Sequence, residues 1–352
     1  MSRLLTEGFE LKDLVNWYLY VNTGLMAAPA TTTAQKRSGT SSMYMHGQSN
    51  DYAIATRTIT SYISEGWIRV GIYLGQIFPD HSSCQIQWVI NGTVLGSIRF
   101  DDGQPVKLYV GTTLVATGSV SLTVSTWYLI EVHVDIGPGG MLEVKIDEVM
   151  DHAARFVGNT QPGADTTFNS IAFYLFGSTG PNFSDCYWDD IGLNDPTGIY
   201  DNSWCGNGKI VMLAPNGTIA HALTGSDGDT VDNHLLIDDV PHDSDTTYVK
   251  GTTPNDEDLY SFADVGAAIS DTDIITRVWA QGRAKDMEAN GRCATFIIKP
   301  SGGSETPGLD YPLFTSYIYD MVTPGVIKNP VDGENWQIAD LDDIQAGVRI
   351  RT

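Results

Sequence analysis

The chain has 352 residues, 42% of them hydrophobic and 18% charged, which is enough apolar material for packed cores and too little charge for a disordered polymer. Lys and Arg number 20 against 43 Asp and Glu, a formal charge of −23. That balance excludes the basic footprint of a nucleic-acid binder and the cationic surface that an anionic membrane attracts.

Residues 14–30, LVNWYLYVNTGLMAAPA, end in a small-residue pattern like a signal-peptide cleavage site. Asn16, Asn22 and Gly24 interrupt the apolar run and Glu7, Glu10 and Asp13 precede it, so we read no leader there. No apolar stretch reaches the roughly 20 residues a membrane helix needs.

From about residue 50 the sequence predicts strand after strand. IQWVINGTVLGSIRF (86–100) places Asn91-Gly92 between two alternating runs, a hairpin signal. PVKLYVGTTLVAT (105–117) repeats the form around Gly111. In WYLIEVHVDIGPGGMLEVKIDEV (127–149), Ile130, Val132, Val134 and Ile136 alternate with Glu131, His133 and Asp135. After the Gly137–Gly140 turn, Leu142, Val144 and Ile146 alternate with Glu143, Lys145 and Asp147. Period two with one apolar face describes strands buried on one side, and hairpins with no helix to cover them must pack sheet on sheet. SIAFYLFGS (170–178) supplies another core strand, and SDCYWDDIGLND (184–195) closes the domain.

NDPTGIYDNSWCGNGKI (194–210) is a Pro- and Gly-rich connector. Beyond it, KIVMLAP (209–215) reads as a strand before an Asn216-Gly217 turn. Short apolar runs follow at 273–284, 292–300 and 313–322, and WQIADLDDIQAG (336–347) holds a short helix. The expected fold is all-β, two β-sandwich domains in tandem, residues 1–195 and a smaller 196–352.

Glu131-x-His133-x-Asp135 puts three titratable groups on one strand face, the spacing of an acid strand in sandwich glycosidases. The matching Glu143, Lys145 and Asp147 favour a plain solvent face, with Lys145 pairing weakly across the hairpin. Asp189 and Asp190, neighbours on a strand, should point to opposite faces and so form no dyad. Trp188 and Asp190 should share one side, and Tyr187, Asp189 and Ile191 the other. DGDTVD (227–232) has the acids of a calcium loop without EF-hand spacing or a terminal glutamate, and reads as a solvated loop.

His221, His234 and His242 show no metal-protease spacing, and Cys84, Cys186, Cys205 and Cys293 no zinc spacing. The cysteines read as buried free thiols in a reducing cytoplasm. The acceptor triplets at Asn91, Asn182 and Asn216 read as turns rather than glycosylation sites. Catalytic, cofactor-binding and metal-ligating residues are therefore assigned as none, with no cofactor. Exposed members of the 8 Trp and 16 Tyr could stack on sugars.

The first half, through GFE (8–10), the 127–149 hairpin and YWDDIGLND (187–195), resembles a concanavalin A-like or laminin G-like jelly roll. The second half resembles a module at the C-terminal end of structural proteins of tailed bacteriophages. The segments that carry this likeness are DDVPHDSDTTYVKGTTPNDEDLYSFADV (238–265), TRVWAQGRAKD (276–286) and DDIQAGVRIR (342–351). The resemblance implies a non-enzymatic virion component (capsid decoration protein, head fibre base or tail appendage), made in the host bacterial cytoplasm. Its partners would be other capsid or tail proteins and further copies of itself. A glycan-binding module for host attachment is the second expectation, and a polysaccharide-degrading enzyme the third.

Overall fold

The computed structural model describes residues 3–22, 27–48, 51–76, 83–101, 103–177, 183–266, 269–270, 273–288, 291–322 and 325–352. The chain divides into two compact units, Met1–Val211 and Met212–Thr352. The division lies beyond the expected 195/196 boundary because the connector packs onto the first unit.

Fifteen strands build that unit: β1 (Arg3–Glu7), β2 (Tyr18–Val21), β3 (Ala30–Thr32), β4 (Ser42–Gln48), β5 (Tyr52–Ile63), β6 (Glu65–Gln76), β7 (Ser83–Ile90), β8 (Thr93–Phe100), β9 (Pro105–Val110), β10 (Thr113–Ser121), β11 (Trp127–Asp135), β12 (Gly140–Ile146), β13 (Val149–Gly158), β14 (Phe168–Phe176) and β15 (Phe183–Asn194). One sheet runs β13-β12-β11-β6-β15-β4-β3, with β1 also on β15. The other, seven-stranded, runs β10-β9-β8-β7-β14-β5-β2. Successive hairpins and the alternation of β14 and β15 between sheets make this a jelly-roll sandwich.

The expected hairpins form, and of the two partners open to Lys145, Glu131 or Asp135, the register sets it opposite Glu131. Ile130 pairs with Ile146 and Val132 with Val144 across β11 and β12. Asn91 and Gly92 both take positive φ, 47° and 82°, the mirror-turn geometry that an Asn-Gly hairpin uses. The inward residues of the two sheets meet in one core. Ile130, Val132, Val134, Leu142 and Val144 are fully buried from one side, and Ile86, Ile98, Leu108, Phe173 and Leu175 from the other. Trp188 spans the layers, its ring centroid 4.5 Å from Phe173 and its Nε1 donating to Met45 Sδ at 3.1 Å. Each such large apolar side chain contributes roughly 1.5–3 kcal/mol by leaving water. Cys84 and Cys186 are free thiols in this core, while Cys205 and Cys293 are half-buried.

The second unit holds β16 (Pro215–His221), β17 (Thr224–Gly225), β18 (Val249–Lys250), β19 (Glu257–Phe262), β20 (Gln281–Ala284), β21 (Cys293–Lys299), β22 (Thr306–Pro307), β23 (Tyr311–Pro312), β24 (Ile318–Val322), the helix α1 (Ile338–Asp342) and β25 (Gln345–Arg351). Its main sheet runs β16-β19-β25-β21-β22, with β23 also on β21. Trp336, Leu341, Ile344 and Ile298 form its core. The strand expected at 209–215 instead begins at Pro215, and Asn216-Gly217 lies within it rather than in a turn. There the ladder shifts register beside Ser261, a bulge that a glycine accommodates.

Candidate functional site

Glu131, His133 and Asp135 point outward from β11, but only Asp135 stays partly exposed as expected, while Glu131 and His133 are buried. The connector folds back over this face. Glu131 is 1% exposed and accepts the Gly206 amide at 2.8 Å. Arg69, the neighbour of Glu131 on β6, is 3% exposed and donates to Asp190 O and Gly206 O. His133 stacks on Trp67 at 4.6 Å and 3°, with the edge of Trp204 at 6.0 Å. Its Nε2 lies 3.0 Å from Glu65 Oε1 and its Nδ1 3.4 Å from Glu143 Oε2. Lys145 faces Glu131 in register, yet its ammonium sits 4.2 Å over the Trp204 ring. Burial, then the Glu65 charge, raises the Asp135 carboxyl above its ordinary range, with His133 opposing. Glu131, Arg69, His133 and Lys145 cement the connector to the sheet, which corrects the reading of a wet exterior at that part of the face.

Asp189 and Asp190 also depart from expectation. Asp190 takes φ 49° and the register shifts between Asp189 and Gly192, so alternation breaks there. Ile191 joins Trp188 in the core, and both carboxylates, each fully buried, turn toward the Arg37–Ser38 segment. Asp189 Oδ2 accepts Arg37 N at 2.8 Å and Ser38 N at 3.2 Å, and its Oδ1 accepts Asp190 N at 2.7 Å. Asp190 pairs with the Arg37 guanidinium at 2.7 Å and accepts Ser38 Oγ at 2.6 Å and Ile210 N at 2.9 Å. Burial, then the charge of Asp190, pushes the Asp189 carboxyl up to about 8. Nearby, Glu10 accepts Thr40 N and Thr40 Oγ1 at 2.7 and 2.9 Å. The DDI motif thus ties the sandwich to its own connector through Asp190, and the GFE motif holds the Thr40–Ser41 segment through Glu10.

The remaining candidates are scattered. His221 is exposed, His234 Nδ1 lies 3.1 Å from Thr218 Oγ1, and His242 sits beside Arg283. Asn91 lies in its turn, Asn216 Oδ1 accepts Ser261 Oγ at 2.9 Å, and Asn182 lies outside the described residues. Among the described residues no three His, Cys, Asp or Glu gather as a metal would need.

The connector covers the Glu131–Asp190 part of the first sheet's outer face, while Tyr44, His46, Tyr73, Trp127 and Tyr187 on that face stay half-exposed. The outer face of the seven-stranded sheet is a second broad surface of the first unit. Side chains alternate along each strand, so the registers place Tyr20, Ile54, Tyr174, Gln85, Arg99 and Lys107 in one row across β2, β5, β14, β7, β8 and β9. At about 4.8 Å between strands the row is roughly 24 Å long. Gln87, Ser97 and Tyr109 form a second row beside it. Tyr52 stacks on Tyr174 at 5.4 Å and 27°, and Tyr20 lies 5.8 Å from Tyr52. Along β7, Gln87 donates to Gln85 at 3.0 Å and Gln85 to Ser83 Oγ at 3.1 Å.

Asp101, 8% exposed, accepts Arg99 Nε at 2.9 Å and Lys107 Nζ at 2.8 Å. One carboxylate between two cations leaves a net positive charge among the described residues of this patch, on a chain of −23. Burial, then the neighbouring Tyr52, pushes the Tyr174 phenol up to about 12, with Arg99 opposing. The face thus brings together a ring platform, amides, two cations and a half-buried phenol. Sequence reading missed it because 170–178 was read as a core strand and the hairpins at 86–100 and 105–117 only as alternating strands. The available signal was the polar alternation in Gln85-Ile86-Gln87 and in Arg99 and Lys107.

No family model and no curated protein matches the sequence. Solved structures do resemble it. A sialidase aligns at TM-score 0.43 and 12% identity over 55% of this chain, which spans 18% of that chain's length. A cellulose-induced protein aligns at 0.45 and 12%, over 58% of this chain and 100% of that one. An endo-β-1,4-glucuronan lyase from the fungus Trichoderma reesei aligns at 0.44 and 12%, over 55% and 95%. Two of these three carry the names of carbohydrate-active enzymes and none that of a phage structural protein. The expectation of a non-enzymatic virion component is corrected accordingly. At these TM-scores the likeness assigns no activity, which has to come from the residues of the face.

Proposed function

We propose that the protein acts on an anionic polysaccharide, laid along the outer face of the seven-stranded sheet and cleaved there by β-elimination. The observation that carries this reading is the single cross-strand row Tyr174–Gln85–Arg99–Lys107. A row roughly 24 Å long suits an extended chain rather than a small molecule. Tyr52 and Tyr174 offer ring surface to a pyranose, and Arg99 and Lys107 offer charge to its carboxylate.

A uronate carries an acidic C–H beside its carboxylate and a glycosidic oxygen one carbon further on. Arg99, Lys107 and the Gln85 amide hold the carboxylate and stabilise the charge that develops when the C–H proton leaves. The Tyr174 oxygen, as phenolate, takes that proton. As phenol it returns the proton to the departing glycosidic oxygen. The C–O bond breaks as a C=C bond forms, and no water is consumed. Because the Tyr174 phenol stands near 12, the rate rises with pH through the alkaline range.

The test is incubation with polymannuronate, polyguluronate, polyglucuronate and polygalacturonate, followed by the ultraviolet absorbance of the unsaturated product. Wild type produces it from at least one polymer, Tyr174→Phe loses about 10²–10⁴-fold in rate, and Arg99→Gln weakens binding. No absorbing product and no retardation in polymer-containing gels would overturn the proposal.

A further inference from the structure

The half-exposed aromatic residues on the outer face of the first sheet stand in one line. Tyr44 pairs with Tyr187, Tyr187 with Tyr73, and Tyr73 with Trp127. The neighbouring strands β4, β15, β6 and β11 thus each place one ring in a single cross-strand row. Three strand spacings make the row roughly 14 Å long. Successive ring centroids lie 4.9, 5.5 and 5.6 Å apart, at interplanar angles of 36°, 83° and 51°. The rings brace one another, so the row holds a fixed relief.

Polar groups line its edge. Asp185, one outward position from Tyr187, accepts the Tyr44 hydroxyl on Oδ1 at 2.6 Å, and the same oxygen lies 2.7 Å from His46 Nδ1. Asp185 Oδ2, the Tyr73 and Tyr187 hydroxyls and Trp127 Nε1 make no hydrogen bond among the described residues, and none of them is buried. Gly75, the next outward position on β6 after Tyr73, adds no side chain. A Cβ there would stand 3.3 Å from Tyr187 Cε2 and 3.1 Å from Asp185 Cβ, so its absence leaves a notch beside the ring and the carboxylate. The Arg37 stem borders the row at Gly71, but its guanidinium is engaged by Asp190 and Gly208. Among the described residues no Lys or Arg pairs with Asp185 or lies over these rings. This patch therefore suits a ligand rich in hydroxyls and without negative charge, the reverse of the face that carries Arg99 and Lys107.

We propose that the Tyr44–Trp127 row binds a neutral polysaccharide of equatorial pyranoses, a β-glucan, as a second saccharide surface on the sheet opposite the cationic face. Such a sugar carries its hydroxyls round the rim and presents flat C–H faces above and below. The C–H faces lie on the rings, with Tyr187 and Trp127 two strands apart. Rim hydroxyls donate to Asp185 Oδ2 and accept from Trp127 Nε1 and the tyrosine hydroxyls. A uronate would meet Asp185 with like charge. The proposal stands whether or not the opposite face cleaves uronates.

The test is electrophoresis of the full chain in native gels containing mixed-linkage β-glucan, hydroxyethyl cellulose, β-1,4-galactan or polyglucuronate. Wild type is retarded by a glucan and not by the galactan, whose axial hydroxyl breaks the flat face; this comparison needs no variant. Trp127→Ala and Tyr187→Ala each weaken glucan binding about tenfold, with circular dichroism confirming that both fold. Tyr187→Phe, which keeps the ring, loses about threefold. Tyr62→Ala, at an exposed tyrosine of β5, binds glucan as wild type does. Arg99→Gln weakens polyglucuronate binding and leaves glucan binding intact, which separates the two faces. No retardation by either glucan, or retardation that survives in folded Trp127→Ala and Tyr187→Ala chains, would overturn the proposal. So would a concentration-dependent dimer that Tyr187→Ala dissolves in a chain that binds no glucan, which would make the row a contact between copies.

Discussion

Replacing Arg37 with Met tests whether the carboxylate pair is a buried ionic knot. The guanidinium holds Asp190 Oδ2 at 2.7 Å and Gly208 O at 2.9 Å, and its side chain is 13% exposed against 0% for Asp190. Met keeps the aliphatic stem, which packs at Gly71, and removes only the charge and its donors. Asp190 would keep Ser38 Oγ and Ile210 N but lose its ion-pair partner, with only the more distant Arg69 guanidinium, held on its main-chain oxygen, left as a cation. Removing one partner of a buried pair costs about 3–5 kcal/mol, a large share of the roughly 5–15 kcal/mol that holds a domain folded. The assay is urea unfolding of the full chain followed by tryptophan fluorescence. Arg37→Met should lower the stability of the first unit by about 3 kcal/mol or more. Adding Asp190→Asn should recover much of that loss, because the stranded charge is then gone. A loss below about 1 kcal/mol, or no recovery in the double variant, would mean that the pair is effectively solvated and the reasoning fails.

Other outcomes follow from particular contacts. Asp189, raised to about 8, keeps its proton in the folded chain when the unfolded chain has already lost it. Stability should therefore fall as pH rises from about 4 to 8, and Asp189→Asn should flatten that slope in thermal melts across the window. Asp151 is the opposite case. Burial works to raise it, but hydrogen bonds from Ser119 N and Oγ, Val120 N and Ala153 N outweigh burial and hold it low. Its contribution is present above about pH 4 and lost as the pH falls through the lowered value, so Asp151→Asn should cost about 2 kcal/mol at neutral pH and little in strong acid. Gly96→Ala would set a Cβ 2.4 Å from Trp88 Cζ2 and 2.6 Å from Tyr109 O, costing about 3 kcal/mol and altering the near-ultraviolet circular dichroism of Trp88.

Strand order along the chain was legible because each hairpin carries its own turn chemistry and two-residue period. The 127–149 hairpin was readable in its faces, since the two-residue period puts Ile130, Val132 and Val134 on one side, but not in its register, which an even slip would leave equally buried. What lay outside local pattern was not readable. A polar strand face looks the same whether water or a returning connector covers it, so Glu131 and His133 were taken for surface. The convergence of Asp189 and Asp190 depends on one left-handed residue, which an aspartate can adopt but does not announce. The row through Tyr174 and Arg99 joins residues from six strands, and no stretch of sequence contains it.

The return of the connector across the first sheet also sets where this chain can be shortened. A protein ending at Asp195 would keep every strand of the jelly roll and still lack Gly206 and Ile210, whose amides cap Glu131 and Asp190. Arg69, Glu131 and Asp190 would lose the partners that the connector gives them, in seats shaped for a dry layer. During synthesis the same dependence delays maturity: the sandwich can assemble once β15 has left the ribosome, but it becomes sealed only when the Trp204–Ile210 segment arrives.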